Sequence, residues 1–317
     1  CAAPLLREAT HVPPMTAIET AGLVKEYGDV TALDGLDLAV EEGEIFGFLG
    51  PNGAGKSTTI DVLLDFVRPT DGEARVLGMD AQAESQAIRQ RTGVLPEGYE
   101  VYERLTGRQH MEFVLDSKGA GDDPWTLLER VGIDDAATRK AGGYSKGMRQ
   151  RLLLGMALVG DPDLLILDEP STGLDPSGVR DIRELIREVA DDGGTVFFSS
   201  HILSQVEAVC DRVGILRDGE LVAVDTVEGL RDAAEVESTL TVTTRGGIDD
   251  GALEEVRALE GVSEVRVRGN ELVTRVTDSS KFAVLSTLEA AEVQIVDFQT
   301  EEASLEDLFL SYTEGQA

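Results

Sequence analysis

Apolar positions along the chain follow two different periods. From Ala17 to Val40 they alternate with polar ones in strand-like segments broken at Tyr27-Gly28-Asp29 and Asp34-Gly35, which predicts an antiparallel sheet. Glu44 to Leu49, Leu164 to Leu167 and Thr195 to Ser199 are short apolar runs that predict buried strands. Helical spacing separates them, over Lys56 to Val67, in the long periodic stretch that opens at Tyr144 to Arg151, and over Asp181 to Ala190. Pro69-Thr70-Asp71-Gly72 reads as a turn before a strand over Glu73 to Leu77, and Thr92 to Pro96 as a short strand ending at Glu97. From Tyr99 to about Gly143 the period is mostly helical, with a break at Lys118 to Pro124, so an inserted helical unit is expected over 99–143. Asp218-Gly219 between Val213 to Arg217 and Glu220 to Val224 is a strong hairpin signal. The tail then reads strand, helix, strand, strand, helix, strand over Ser238 to Thr244, Asp250 to Leu259, Val262 to Val267, Glu271 to Val276, Ser280 to Ala291 and Val293 to Gln299, and an amphipathic helix is expected over Ser304 to Leu310. Strands and helices that alternate in this way predict an α/β architecture: a large domain over 15–232 and a smaller one over 237–317.

Composition narrows the partners. The 317 residues carry a net charge of -32, which argues against nucleic acid or anionic lipid held by bulk electrostatics. Lys25, Lys56, Lys118, Lys140, Lys146 and Lys281 are the only lysines, and the carboxylates are dispersed along the whole length. That bias resembles proteins of salt-loving organisms, and it predicts activity and melting temperature that do not fall in molar KCl. Cys1 and Cys210 are too few for a disulfide framework, so a reducing compartment is expected. No apolar run approaches the roughly 18–20 residues needed to cross a bilayer. Leu152 to Val159 comes nearest, and the expectation is a soluble or peripheral protein. Residues 1–14 precede a plausible initiator, Met15, lack the apolar stretch of a signal peptide, and are expected to be a disordered extension.

The chemistry concentrates in five places. Gly50 to Thr58 fits G-x-x-x-x-G-K-[ST] at a strand-to-helix turn, the phosphate-cradling loop of nucleoside triphosphatases. Its glycines let backbone N–H groups approach phosphate oxygens while the helix N-terminus adds partial positive charge. Asn52, Gly53, Ala54, Gly55, Lys56, Ser57 and Thr58 are the candidate nucleotide ligands, with Lys56 bridging the β- and γ-phosphates and Ser57 on Mg2+. Asp168 and Glu169 end a buried strand, where an α/β sheet places its chemistry; Asp168 can hold the metal and Glu169 can accept a proton from attacking water. His201 follows the strand Thr195 to Ser199 in the same relation. Ser145 is a candidate N-cap for the helix after it. Tyr27 either stacks on adenine or is a turn tyrosine at the sheet edge.

Taken in order over roughly Ala17 to Leu230, these residues resemble the ATP-binding subunit of ABC transporters. Gly50 to Thr58 matches its first nucleotide motif, Leu164 to Glu169 the second, Ser145 to Gly147 the signature, Asp175 the loop after the second motif, and His201 the switch histidine. The resemblance implies a P-loop NTPase cassette with a mixed sheet core, an antiparallel edge subdomain and an inserted helical subdomain. It implies ATP and Mg2+ as ligands, and a head-to-tail dimer in which Ser145 and Gly147 reach the γ-phosphate on the partner's loop. Lys56, Glu169 and His201 would be catalytic, Ser57, Asp168 and Glu97 would hold the metal, and Asp175 would lie at the nucleotide. Two departures stand out: Glu97 replaces the usual lid-loop glutamine, and Tyr-Ser-Lys-Gly-Met replaces Leu-Ser-Gly-Gly-Gln. A carboxylate at Glu97 can still ligate Mg2+ but adds negative charge beside the phosphates, and Lys146 adds a cation near the partner's γ-phosphate.

Such variants look familiar from the subgroup paired with ABC-2-type permeases, the drug, antibiotic and polysaccharide exporters. That subgroup implies a separate permease chain, a second copy of this chain, no nucleic acid, and a cytoplasmic location peripheral to the membrane. Val101 to Gly143, which holds Trp125, is the expected docking surface. The tail's element order is that of a ferredoxin-like α+β domain without a catalytic constellation, read as an accessory domain that steadies the dimer. The alternative class is a soluble ABC ATPase of translation or DNA repair; those usually carry two cassettes or a long coiled-coil insertion, and this chain has one cassette and neither addition. A nucleotide-sensing module without turnover is opposed by the intact Lys56, Asp168, Glu169 and His201.

Overall fold

The computed structural model describes residues 15–172, 174–202, 206–234 and 237–301. The expected extension over residues 1–14 and the closing helix Ser304 to Leu310 lie outside the described residues. The chain divides into two compact units, Cys1–Val222 and Ala223–Ala317.

In the first unit, β1 (Thr16–Tyr27) and β2 (Val30–Glu41) form a long hairpin, and β1 also pairs with β4 (Asp71–Val76), which pairs with β5 (Met79–Asp80). The expected break at Asp34-Gly35 is not there. β2 runs through it because Leu23 pairs with Leu36 and Lys25 with Leu33, so a bulge absorbs the two residues while Leu33, Leu36, Leu38 and Val40 stay buried. The second sheet has the order β10-β9-β3-β8-β7-β6, built from β3 (Ile45–Leu49), β6 (Thr92–Leu95), β7 (Leu164–Asp168), β8 (Thr195–Ser200), β9 (Arg212–Arg217) and β10 (Glu220–Asp225). Pairs β6/β7, β7/β8, β8/β3 and β3/β9 are parallel. Every residue of β3, β7 and β8 is buried, the burial expected of a parallel sheet covered on both faces. Phe197 stacks on Phe46 at 5.9 Å between centroids and tilts against Phe48 at 5.2 Å, tying β8 to β3. β9 and β10 turn at Asp218 and Gly219, both at positive φ as a two-residue hairpin turn requires.

Helix α1 (Lys56–Leu63) ends earlier than its apolar period suggests, since Asp65 adopts the left-handed conformation at φ 56°. After α2 (Ser85–Arg91) come α3 (Gly107–Lys118), opened by a capping box between Thr106 and Gln109, and α4 (Pro124–Arg130). The Lys118 ammonium donates to the carbonyls of Thr92 and Val159, and burial lowers its pKa. α5 (Lys146–Ala157) and α6 (Pro176–Asp191) complete the unit, and α6 starts earlier than the predicted Asp181 because Asp175 caps it ahead of Pro176.

In the second unit, α7 (Val227–Ala234) precedes β11 (Ser238–Thr244), α8 (Asp250–Arg257), β12 (Val262–Arg268), β13 (Glu271–Val276), α9 (Lys281–Ala290) and β14 (Ile295–Glu301). The sheet order β12-β13-β11-β14 is antiparallel throughout, the ferredoxin-like arrangement. Leu240, Val242, Leu272 and Val276 on the strands share one buried cluster with Val256, Val284 and Leu288 on the helices.

Candidate functional site

Parallel register decides where the chemistry meets. Leu49 lies opposite Ser200, and Asp168 opposite Ser199, so β3, β7 and β8 finish side by side at one edge of the sheet. Gly50 to Lys56 leaves that edge from β3 as the phosphate loop. Its last glycine, Gly55, sits at φ 113°, and a Cβ there would come within 2.6 Å of the Ala32 carbonyl oxygen. Only glycine lets the loop close on the β1–β2 hairpin and start α1 at once. The N–H groups of Lys56, Ser57 and Thr58 form the first turn of α1, where backbone donors have no intrahelical acceptor; the first intrahelical bond runs from the Thr59 N–H to the Gly55 carbonyl at 2.9 Å. Lys56 is buried, and its Nζ donates to the carbonyls of Gly50 (2.8 Å) and Pro51 (3.3 Å).

The two carboxylates are held differently. Asp168 is buried and accepts a hydrogen bond from the Ser199 hydroxyl. Glu169, also buried, has a left-handed backbone (φ 50°), a conformation that costs a non-glycine residue about 1–2 kcal/mol. Its N–H donates to the carbonyl and the hydroxyl of Ser199, each at 3.2 Å, which fixes that conformation. Its side chain lies between two nitrogen groups: Oε2 is 2.8 Å from His201 Nδ1, and Oε1 is 3.8 Å from Lys56 Nζ. Facing a carboxylate, Nδ1 is the donor. Glu169 Oε1 is buried without a hydrogen-bond partner among the described residues, so one lone pair at the site is free to take a proton. Asp61 on α1 is half-buried; burial first, and then the Asp168 charge, hold its carboxyl above the usual carboxylate range.

Glu97 shares a cleft of about 580 Å3 with Tyr99, Lys146, Arg149, Asp168 and Glu169, so the lid-loop position and the second motif face one space. Ser145 caps α5 by accepting from the Met148 N–H at 3.2 Å, and Asp175 caps α6 by accepting from the Gly178 N–H at 2.8 Å. Gly147 abuts Leu174, whose Cδ2 is 3.6 Å from where a Cβ would stand. Tyr27 is half-exposed at the end of β1, with Lys25 Nζ 4.8 Å above its ring, on the hairpin whose Ala32 closes against Gly55. Lys56, Asp168, Glu169 and His201 are thus gathered at one place, with Glu97 across the cleft. Ser145 and Asp175 are each engaged by their own helix. Ser199, Asp61 and Gln150 were not singled out by the sequence; two serines ending an otherwise apolar strand were the available signal for Ser199.

Among the described residues, no group of three or more His, Cys, Asp or Glu side chains converges enough to hold a metal unaided. Ser57, Asp168 and Glu97 supply hard oxygen donors only. Such a set fits a magnesium ion that arrives on nucleotide phosphates and keeps most of its water, rather than one caged by protein.

Comparisons with known proteins agree over both units. A family model described as ABC transporter matches residues 33–172, and one described as ATP-binding protein DrrA1-3-like, C-terminal domain, matches residues 226–313. The chain is 32% identical over 305 residues to the linearmycin resistance ATP-binding protein LnrL of Bacillus subtilis (strain 168), spanning 93% of this chain and 98% of that protein. It is 34% identical over 313 residues to the daunorubicin/doxorubicin resistance ATP-binding protein DrrA of Streptomyces peucetius, spanning 96% and 94%. A solved structure described as the ATP binding subunit of an ABC transporter superposes with a TM-score of 0.64 at 29% identity, over 69% of this chain and 93% of that one.

Proposed function

We propose a role for this chain from its family: it belongs to the ATP-binding proteins of ABC transporters, and it hydrolyses ATP to power export through a separate permease of the ABC-2 type. The single observation that carries the mechanism is the line Lys56–Glu169–His201, in which the buried base is held between the phosphate-loop lysine and the switch histidine. Gly53 to Thr58 cradles the phosphates with backbone N–H groups and Lys56 leaves its loop carbonyls for the β- and γ-phosphates; Ser57, Asp168 and Glu97 would hold magnesium, which would supply charge to offset the phosphates. Glu169 Oε1 takes the proton of the attacking water as the bond from the γ-phosphorus to the bridging oxygen breaks and ADP leaves. His201 holds Glu169 in place through Nδ1 and faces the γ-phosphate with its other edge.

Two copies sandwich two nucleotides, each signature loop, Ser145 to Gly147, completing the other copy's site with a helix N-terminus. The cassette is assigned to 15–232 and an accessory domain that steadies the dimer to 237–317. Tyr102, Phe113 and Trp125 are exposed on the helical part and supply the permease-docking surface on the cytoplasmic face of the membrane. No helix among the described residues is long and apolar enough to cross a membrane, in keeping with a permease on another chain. The drug-resistance names of these two relatives support export. Glu169→Gln is the test: turnover should fall by about 10²–10⁴-fold, the contribution of a general base, with ATP binding kept and a nucleotide-bound dimer accumulating. Full turnover in that variant would remove Glu169 as the base.

A further inference from the structure

The peptide that follows the base is gripped from the signature helix. Gln150 Nε2 donates to the Pro170 carbonyl at 2.8 Å, the carbonyl of the residue immediately after Glu169. Gln150 lies early in α5, which Ser145 opens and Gly147 helps to seat against Leu174. On the other side, the Thr172 N–H donates to the Glu169 carbonyl at 3.2 Å, and Arg151, the next residue of α5, pairs with Asp181 on α6. The left-handed backbone of Glu169 and the fixed φ of Pro170 leave this segment few conformations. A shift of the Glu169 backbone is therefore passed to the Pro170 carbonyl and to the Gln150 amide of α5 that holds it.

We propose that Gln150 is the positioning residue that couples the two nucleotide sites of the dimer: it transmits the state of Glu169 in one site to the signature loop that completes the other. This rests on the sandwich reading above. Gln150 touches neither nucleotide in this scheme; its effect passes through Pro170 to Glu169 and through α5 to Ser145. The strut has one donor and one acceptor, so the donor's removal breaks the coupling without unseating the phosphate loop.

The test uses the full chain with Gln150→Leu, which removes the donor, and Gln150→Lys, which keeps one. Three quantities are read: kcat for ATP, the Hill coefficient, and the affinity for Mg·ADP, which lacks a γ-phosphate and so reads the phosphate loop of one chain. In the leucine variant kcat should fall about three- to tenfold and the Hill coefficient should drop from near its two-site limit toward one. Mg·ADP affinity should stay within about twofold, and the lysine variant should recover cooperativity. Unchanged cooperativity in the leucine variant, or a loss of Mg·ADP affinity alongside it, overturns the coupling role. A parental chain that turns over as a monomer overturns the coupling and the sandwich together, whereas a normal ATP-driven dimer with unchanged cooperativity in Gln150→Leu overturns the coupling alone. Should the leucine variant melt much earlier than the parent, the same readouts on Gln150→Glu, which has the native shape and no donor, decide the matter.

Discussion

Lys56, Asp168, Glu169 and His201 are held by one another and by Ser199, whereas Ser145 and Asp175 are each held by the first turn of their own helix. On the proposed function both regions border bound nucleotide. In the first, the groups converge from β3, β7 and β8 and their geometry is set before nucleotide arrives, the arrangement that makes electrostatic stabilisation effective. In the second, the Ser145 hydroxyl satisfies a backbone N–H of α5 and the Asp175 carboxylate satisfies one of α6. On the proposed function, the difference teaches that one chain builds the base and phosphate cradle and presents the remaining donors to a second copy. Gln150, reaching from α5 to Pro170, is a link between the two regions.

The comparison breaks most visibly at Lys56. Lys56→Ala should lower kcat by at least about a thousandfold, because it removes the preorganised cation and leaves the buried Glu169 without it, and nucleotide affinity should fall as well. Retained activity, measured by phosphate release, would mean that the convergent cluster is not the site. Ser145→Ala should show a different signature. It loses an N-cap worth about 1 kcal/mol, read in the urea midpoint. Its kcat should fall about a hundredfold with Mg·ADP affinity unchanged if, as proposed, the donor serves the γ-phosphate of another chain.

The smallest effect is expected in the helical part, away from both regions. His110 is buried, with Nδ1 against the Thr106 carbonyl at 2.8 Å and Nε2 accepting from the Tyr102 N–H at 3.0 Å, a pairing that only the neutral ring can make. Burial pushes its pKa below the ordinary 6.5. The unfolded chain therefore takes up the proton first as pH falls, so the stability from this site is complete above about pH 6.5 and declines below it. His110→Gln should flatten the part of the urea-midpoint profile between pH 7 and 5 that distinguishes it from the parent, with kcat at pH 7 little changed. An identical profile in both proteins would remove the site from the pH response.

Much of this was legible in the sequence because the convergent region is written in local patterns. The glycine loop between strand and helix, and the acids after an apolar strand, are each short enough to read without the fold. Asp218-Gly219 read correctly for the same reason, since two adjacent left-handed residues specify the turn by themselves. The Asp34-Gly35 break did not hold, because pairing with β1 turns a local turn signal into a bulge. Helix α1 stopped short of its apolar period where Asp65 turns left-handed, a choice made by packing rather than by propensity. Ser199 and Gln150 escaped notice for a related reason. Their importance lies in partners 31 and 20 residues away, and one hydroxyl or one amide leaves no periodic trace. The proposal that Ser145 serves another chain comes only through the family resemblance, since inside this chain it is an ordinary helix cap.

The claim that each site is built from two chains is tested most directly by mixing two inactive variants, Lys56→Ala and Ser145→Ala. In a mixed dimer, the intact phosphate loop of the second meets the intact signature of the first, while the other site carries both defects. Equal mixing should raise the ATPase rate well above either variant alone, with a ceiling of about a quarter of the parental rate, since half of the dimers are mixed and each holds one good site of two, and with coupling to the dead site lowering it from that ceiling. A mixture no more active than either variant alone would place loop and signature in the same chain's site and contradict the account.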